Sequence, residues 1–100
     1  MSDFDYRILD DIIHSRVRLA IMSYLMTARS EDFTALKKQL NLTDGNLSTH
    51  LSKLEITGYV VLEKQFIGKK PQTTVKLSAE GEKAFGDYLH KLTAMIGNPS

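Results

Sequence analysis

No cysteine occurs among the 100 residues, which excludes disulfides, thiolate nucleophiles, zinc-finger ligation and thiol redox switching. Long uncharged runs are missing too. The longest, Leu19 to Ala28, has ten residues against the roughly 20 that a bilayer-spanning helix needs, so no transmembrane segment is expected. The N-terminus carries Asp3, Asp5, Asp10 and Asp11 where a secretory signal would place basic residues and an apolar stretch, and a cytoplasmic location is the expectation. There is no GxSxG, no phosphate-binding glycine loop and no GxGxxG. His14, His50 and His90 lie 36 and 40 residues apart with no HxxxH among them. Neither an enzyme, a metal site nor a bound cofactor is expected.

What the chain does have is the make-up of one globular domain spanning residues 1–100, with 42% hydrophobic and 25% charged residues. A domain of this size buries only about 60 to 65% of its unfolded surface, which favours covering leftover apolar area with a second copy. Charge is unevenly placed. Residues 1–15 carry −3, residues 16–36 carry +1, and residues 77–100 carry −1. Residues 37–76 set Lys37, Lys38, Lys53, Lys64, Lys69, Lys70 and Lys76 against Asp44, Glu55 and Glu63, a net of +4. A basic middle between acidic ends suits a polyanion-binding surface, although a solvated lysine face would have the same composition.

Periodicity divides the chain into short elements. Val17, Ala20, Ile21, Tyr24, Leu25 and Ala28 mark an amphipathic helix capped by Ser15. The stretch from Phe4 to Ile13 reads either as a separate short helix or as its continuation. After a polar break, Asp32 caps a two-turn helix carrying Phe33, Leu36 and Leu40. Thr43 caps the next one. Asp44 suits the positive end of its dipole, Leu42 and Leu47 form a hydrophobic staple, and Gly58 can take the left-handed conformation that ends it. Only about three residues separate these two helices, the length of a helix-turn-helix connection. Tyr59–Ile67 and Gln72–Leu77 are strand-like around a Gly68–Pro71 turn with a basic tip. Ser78 then caps a helix of up to 18 residues ending at Gly97. Within it, Gly81 and Gly86 are either close-packing or merely tolerated glycines.

The helix from Thr43 to Thr57 has an unusual outer face. With Leu47, Leu51 and Leu54 buried, the opposite side carries Gly45, Asn46, Thr49, Ser52, Lys53 and Ile56, with Ser48 and His50 at the flanks. Asn, Ser, Thr and His are weaker helix formers than the Glu, Lys, Gln and Ala of ordinary surfaces. They can, however, hydrogen-bond base edges and phosphates, and Thr can meet a thymine methyl.

The run LTDGNLSTHLSKLEITGYVVLEK followed by GKKPQTTVKLSAEGEKAF resembles the winged helix-turn-helix regulators of the MarR and ArsR type, over about residues 15–96. The resemblance implies an α+β, mostly helical fold with a two-stranded wing. It also implies a sequence-specific transcriptional regulator that grips double-stranded DNA as a homodimer. The recognition helix, about 43–57, would lie in the major groove and the wing, about 59–77, would touch flanking DNA. Asn46, Thr49, His50 and Lys53 are the candidate groove contacts. Thr43, Ser48, Ser52 and Thr73 would join them, and Lys37, Lys38, Lys64, Lys69 and Lys70 would neutralise phosphates. The absence of cysteine departs from the metal-sensing ArsR pattern.

Residues 1–14 and 78–96 are the expected dimerisation elements. Phe85, Tyr88, Leu89, Leu92, Met95 and Ile96 form a broad apolar stripe, and Phe4, Ile8 and Ile12 add to it. A dimer cleft lined by Met22, Met26, Met95, Tyr24 and Tyr88 is the candidate site for an apolar effector. The competing reading is a winged-helix protein-interaction module, which would need an apolar patch on the recognition face.

Overall fold

Hydroxyl and carboxylate caps start every α-helix in the computed structural model, which describes residues 5–97. Ser15 caps α1 (Arg16–Ala28), Asp32 caps α2 (Phe33–Gln39), Thr43 caps α3 (Asp44–Thr57) and Ser78 caps α4 (Ala79–Ile96). Each side-chain oxygen accepts from the backbone N–H three residues on, satisfying a donor that the helix itself leaves unpaired. Helix ends follow the same economy. At the end of α2, Asn41 takes a positive φ of 55°, and the N–H groups of Asn41 and Leu42 donate to Lys38 and Lys37. At the end of α3, Gly58 at φ 90° lets Gly58 and Tyr59 donate to Glu55 and Leu54. Both are Schellman endings, and the first makes the tight turn between α2 and α3.

The strands are β1 (Ser30–Asp32), β2 (Val60–Ile67) and β3 (Lys70–Leu77), joined in one antiparallel sheet of order β1-β3-β2. A two-residue turn at Gly68 and Lys69 closes the β2–β3 hairpin, in which Val60 faces Leu77 and Ile67 faces Lys70. β1 pairs only with Thr74–Lys76 at the base of β3, so beyond Thr74 the hairpin continues as a two-stranded wing. The polar Ser30–Asp32 carries no strand signal of its own. It becomes a strand because Arg29, at φ 68°, turns the chain alongside β3, where its carbonyl accepts from Leu77.

One apolar core joins all layers. Ile21, Met22 and Leu25 of α1, Leu36 of α2 and Leu47, Leu51 and Leu54 of α3 are buried with Val60, Val75, Phe85 and Tyr88. Leu9 and Ile13, from the N-terminal segment, are buried with them. That segment is not a long helix. It makes one 3₁₀ turn, Tyr6–Ile8, after which the Asp10 carboxylate accepts from the Ile12 and Ile13 N–H groups and draws the backbone into a turn.

Phe85 and Tyr88, expected at a subunit interface, are buried in the protomer's own core, so their side chains are already covered without a partner. Phe4, expected there too, lies outside the described residues. Beyond Tyr88, α4 buries no side chain. The distal helix and the wing stretch the molecule to 55 × 26 × 24 Å, with a radius of gyration of 15.1 Å, against roughly 13 Å for a rounded chain of this length.

Candidate nucleic-acid interface

The polar face of α3 is fully displayed. Asn46, Ser48, Thr49, Ser52 and Lys53 are all exposed, while Leu47, Leu51 and Leu54 anchor the other side. Their local bonds limit what each can offer. Thr49 Oγ1 donates to the Gly45 carbonyl at 2.9 Å, which leaves its methyl and its oxygen lone pairs outward. Thr43 Oγ1 accepts from Asn46, so its hydroxyl hydrogen is still available to a phosphate. No partner among the described residues engages the side-chain amide of Asn46, the group best suited to paired contacts on adenine.

His50 sits lower on the helix flank. The Arg18 guanidinium of α1 lies 2.9 Å from its Nδ1 and also donates to the Ile12 carbonyl. Burial, then the charges of Arg18 and Lys53, push the His50 pKa down from its usual value, so the ring is neutral at pH 7. With Nδ1 accepting from Arg18, the proton resides on Nε2, which makes His50 a neutral donor. Arg18 carries this arrangement and was not among the expected site residues. The only sequence signal was its place off the apolar face of α1, which any solvated arginine shares.

The wing supplies the other wall. Lys64 and Thr73 are paired across the hairpin. Together with Phe33, Leu51, Leu62, Ser48, Ser52 and Glu55 they line a groove of about 380 Å³ between α3 and the sheet. Residues far apart in sequence thus meet on one concave surface. Lys69 and Lys70 lie exposed at the hairpin tip, about four residues beyond Lys64.

Among the described residues, ion pairing sorts the lysines. Lys37 lies 2.8 Å from Asp44 and Lys76 lies 3.1 Å from Glu63. Lys37, expected on phosphate, is thereby engaged within the helix-turn-helix. Lys38, Lys53, Lys64, Lys69 and Lys70 have no acidic partner among the described residues, and Glu55 is the one acid lining the groove. These unpaired lysines therefore lie mostly on the wing, as Lys64, Lys69 and Lys70, with Lys53 on α3 and Lys38 on α2.

Within one protomer, the residues expected at an effector cleft between two copies have other engagements. Met22 is fully buried and the Tyr24 hydroxyl donates to Glu31 at 2.6 Å. Tyr88 instead accepts or donates with His14 Nδ1 at 2.8 Å, and borders a recess of about 340 Å³ that includes Arg7, Asp10, Tyr59, Asp87 and Lys91. In that recess the Tyr59 hydroxyl donates to Asp10, and burial plus that carboxylate push its pKa up to about 12. Among the described residues no cluster of His, Asp or Glu is arranged to hold a metal ion, and no helix is long and apolar enough to cross a membrane.

The family profile described as winged helix DNA-binding domain matches residues 17–96. An uncharacterised protein of Methanocaldococcus jannaschii is 38% identical over 87 residues, which are 87% of this chain and 95% of that one. A solved transcriptional regulator homologue from Pyrococcus horikoshii superposes with a TM-score of 0.86 at 33% identity, over 96% of this chain and 95% of the other. The structure of NadR in complex with 4-hydroxyphenylacetate matches with a TM-score of 0.71 at 26% identity, covering 87% of this chain and 61% of that one. A MarR-like transcriptional regulator from Thermotoga maritima shares the fold with a TM-score of 0.62 at 21% identity, over 82% of this chain and 57% of that one, and the winged helix transcriptional regulator family is non-enzymatic. On its sequence, its element order and the geometry of α3 with its wing, the chain belongs to the winged helix DNA-binding domain family.

Proposed function

We propose that this protein is a homodimeric, sequence-specific transcriptional regulator that binds double-stranded DNA in the cytoplasm. One observation carries the reading: the exposed hydroxyls of Ser48 and Ser52 on α3 line a single groove with Lys64 and Thr73 of the β2–β3 hairpin, and Lys64 has no acidic partner among the described residues. Asn46, Thr49, His50 and Lys53 read the major groove. Thr43, Ser48, Ser52 and Thr73 position the backbone, and Lys38, Lys64, Lys69 and Lys70 neutralise phosphates. Lys37 contributes less, because Asp44 already holds it.

The second copy docks on the distal half of α4. Leu89 and Ile96 are exposed there, Leu92 and Met95 are only partly buried, and Ile8 and Ile12 of the N-terminal segment are likewise incompletely covered. An isologous pairing along this face would give two recognition helices related by a two-fold axis, matching a palindromic site.

Selection of bound duplexes from a random pool, followed by titration of the best one over a range of salt, tests the reading. A palindromic consensus and a steep fall of log affinity with log salt are expected. Replacing Asn46 or Thr49 by Ala should change discrimination between sites by roughly 1 to 3 kcal/mol per lost base contact. Absence of duplex binding even at low salt would refute the proposal.

A further inference from the structure

The wing ends in two large apolar side chains that the protomer leaves uncovered. Phe66 is 74% exposed and Ile67 is 61% exposed. They point in opposite directions, because successive residues of a strand face opposite sides of the sheet. One side of the hairpin carries Val60, Leu62, Lys64 and Phe66 opposite Leu77, Val75, Thr73 and Pro71. Near the body this side holds the buried Val60 and Val75. Midway it holds Lys64 and Thr73, which line the groove with Ser48 and Ser52. At the tip it holds Phe66 paired with Pro71. Ile67 belongs to the other side, with Val61, Glu63 and Gln65.

We propose that Phe66, backed by Pro71, is a wedge that enters the minor groove flanking the major-groove site and partly unstacks a base step. The proposal rests on the DNA-binding reading above and adds a residue that reads deformability, not base edges. Reach permits it. Phe66 stands two residues, roughly 7 Å, past the groove that α3 lines, and its ring extends from there toward the adjacent groove of a duplex, about 17 Å away as half of a ~34 Å turn. Shape permits it as well, since Gly68 at φ 65° closes the hairpin in two residues and keeps the tip narrow. Charge selects the occupant. Lys64 shares the side of Phe66 and Lys69 and Lys70 lie at the turn beyond it, all without acidic partners among the described residues, so an apolar protein surface docking at the tip would have to desolvate them, whereas phosphates flanking a minor groove would pair with them.

The test compares wild type, Phe66→Ala and Ile67→Ala on a duplex of about 30 base pairs, the tightest selected from a random pool, with 2-aminopurine placed in turn at positions flanking the protected major-groove segment. Wild type should raise the fluorescence at one flanking step. Phe66→Ala should abolish that rise and weaken binding about 10-fold, while leaving the slope of log affinity against log salt unchanged because no charge is lost. Ile67→Ala should match wild type in all three respects. Both side chains are exposed, so thermal melts of both variants should match wild type.

The wedge is overturned if Phe66→Ala binds like wild type with the same fluorescence rise, or if Ile67→Ala mimics Phe66→Ala. It is also overturned if Phe66→Ala alters the sedimentation of the free protein instead of its DNA affinity, which would assign the tip to a second copy. Failure of wild type to bind any duplex would remove the function itself and the wedge with it. Normal wild-type binding with an indifferent Phe66→Ala removes the wedge alone.

Discussion

Gly81 and Gly86 lie five residues apart on α4, and the same substitution should have opposite signs at the two. A Cβ on Gly86 meets nothing within 4 Å. Alanine there gains the helix propensity that glycine lacks, so Gly86→Ala should stabilise by about 0.5 to 1 kcal/mol. A Cβ on Gly81 would lie 2.1 Å from the Tyr59 carbonyl oxygen, 2.9 Å from its carbon and 3.0 Å from its Cα. All three are backbone atoms and none can swing aside. The first turn of α4 would have to withdraw, and the Ser78 N–H bond to that same carbonyl, 3.1 Å long, would break. Overpacking of this kind costs about 1 to 3 kcal/mol and the hydrogen bond about 1, against a propensity gain of about 1. Gly81→Ala should therefore destabilise by roughly 2 kcal/mol, lowering the melting temperature by about 10 °C in a domain of this size. Circular dichroism melts and urea titrations at one fixed protein concentration measure both variants. A Gly81→Ala protein as stable as wild type, or a Gly86→Ala protein less stable, would refute the packing argument.

Lys69→Ala with Lys70→Ala should weaken binding to all duplexes alike and flatten the salt slope by roughly 1 to 2; an unchanged slope in a gel-shift series would take the wing tip off the phosphates. Asp44→Asn should act the other way, freeing Lys37 and removing an acid from the start of α3. The salt slope should steepen by about 1, at a stability cost under about 1 kcal/mol because Asp44 is exposed. The depressed pKa of His50 has a defined sign. The unfolded chain takes up a proton there that the folded chain, which partly buries the ring and sets Arg18 and Lys53 alongside it, resists. The stability it contributes is thus present above about pH 6.5 and is lost as pH falls below that value. His50→Gln should flatten this part of the stability–pH profile, and an identical profile would show that His50 is not the group responsible.

Local signals in the sequence correspond to most of the fold because they act locally. Ser15, Asp32, Thr43 and Ser78 cap the helices that follow them, and Gly58 ends α3, since each of these is decided by a residue and its nearest neighbours. What stayed hidden depends on contacts across the chain. Ser30–Asp32 is a strand only because β3 passes beside it, and the turn at Asp10 displaces a helix that the apolar pattern of residues 4–13 allowed. The same division holds for the candidate interface. The exposed face of α3 follows from periodicity, whereas the Lys64–Thr73 pairing depends on a turn of two residues, Gly68 and Lys69, tighter than the Gly68–Pro71 turn expected from the sequence. The Lys37–Asp44 pair, the Arg18–His50 contact and the burial of Phe85 and Tyr88 required the packed arrangement.

The N-terminal segment has a practical consequence for anyone trimming the protein to its recognisable portion. The family profile starts at residue 17, yet Leu9 and Ile13 fill the interior, Asp10 holds Tyr59, His14 meets Tyr88, and the Ile12 carbonyl shares Arg18 with His50. A fragment cut at the profile's edge would lose the floor beneath both α4 and the recognition helix. The smallest autonomous unit therefore begins well upstream of the profile's first matched residue.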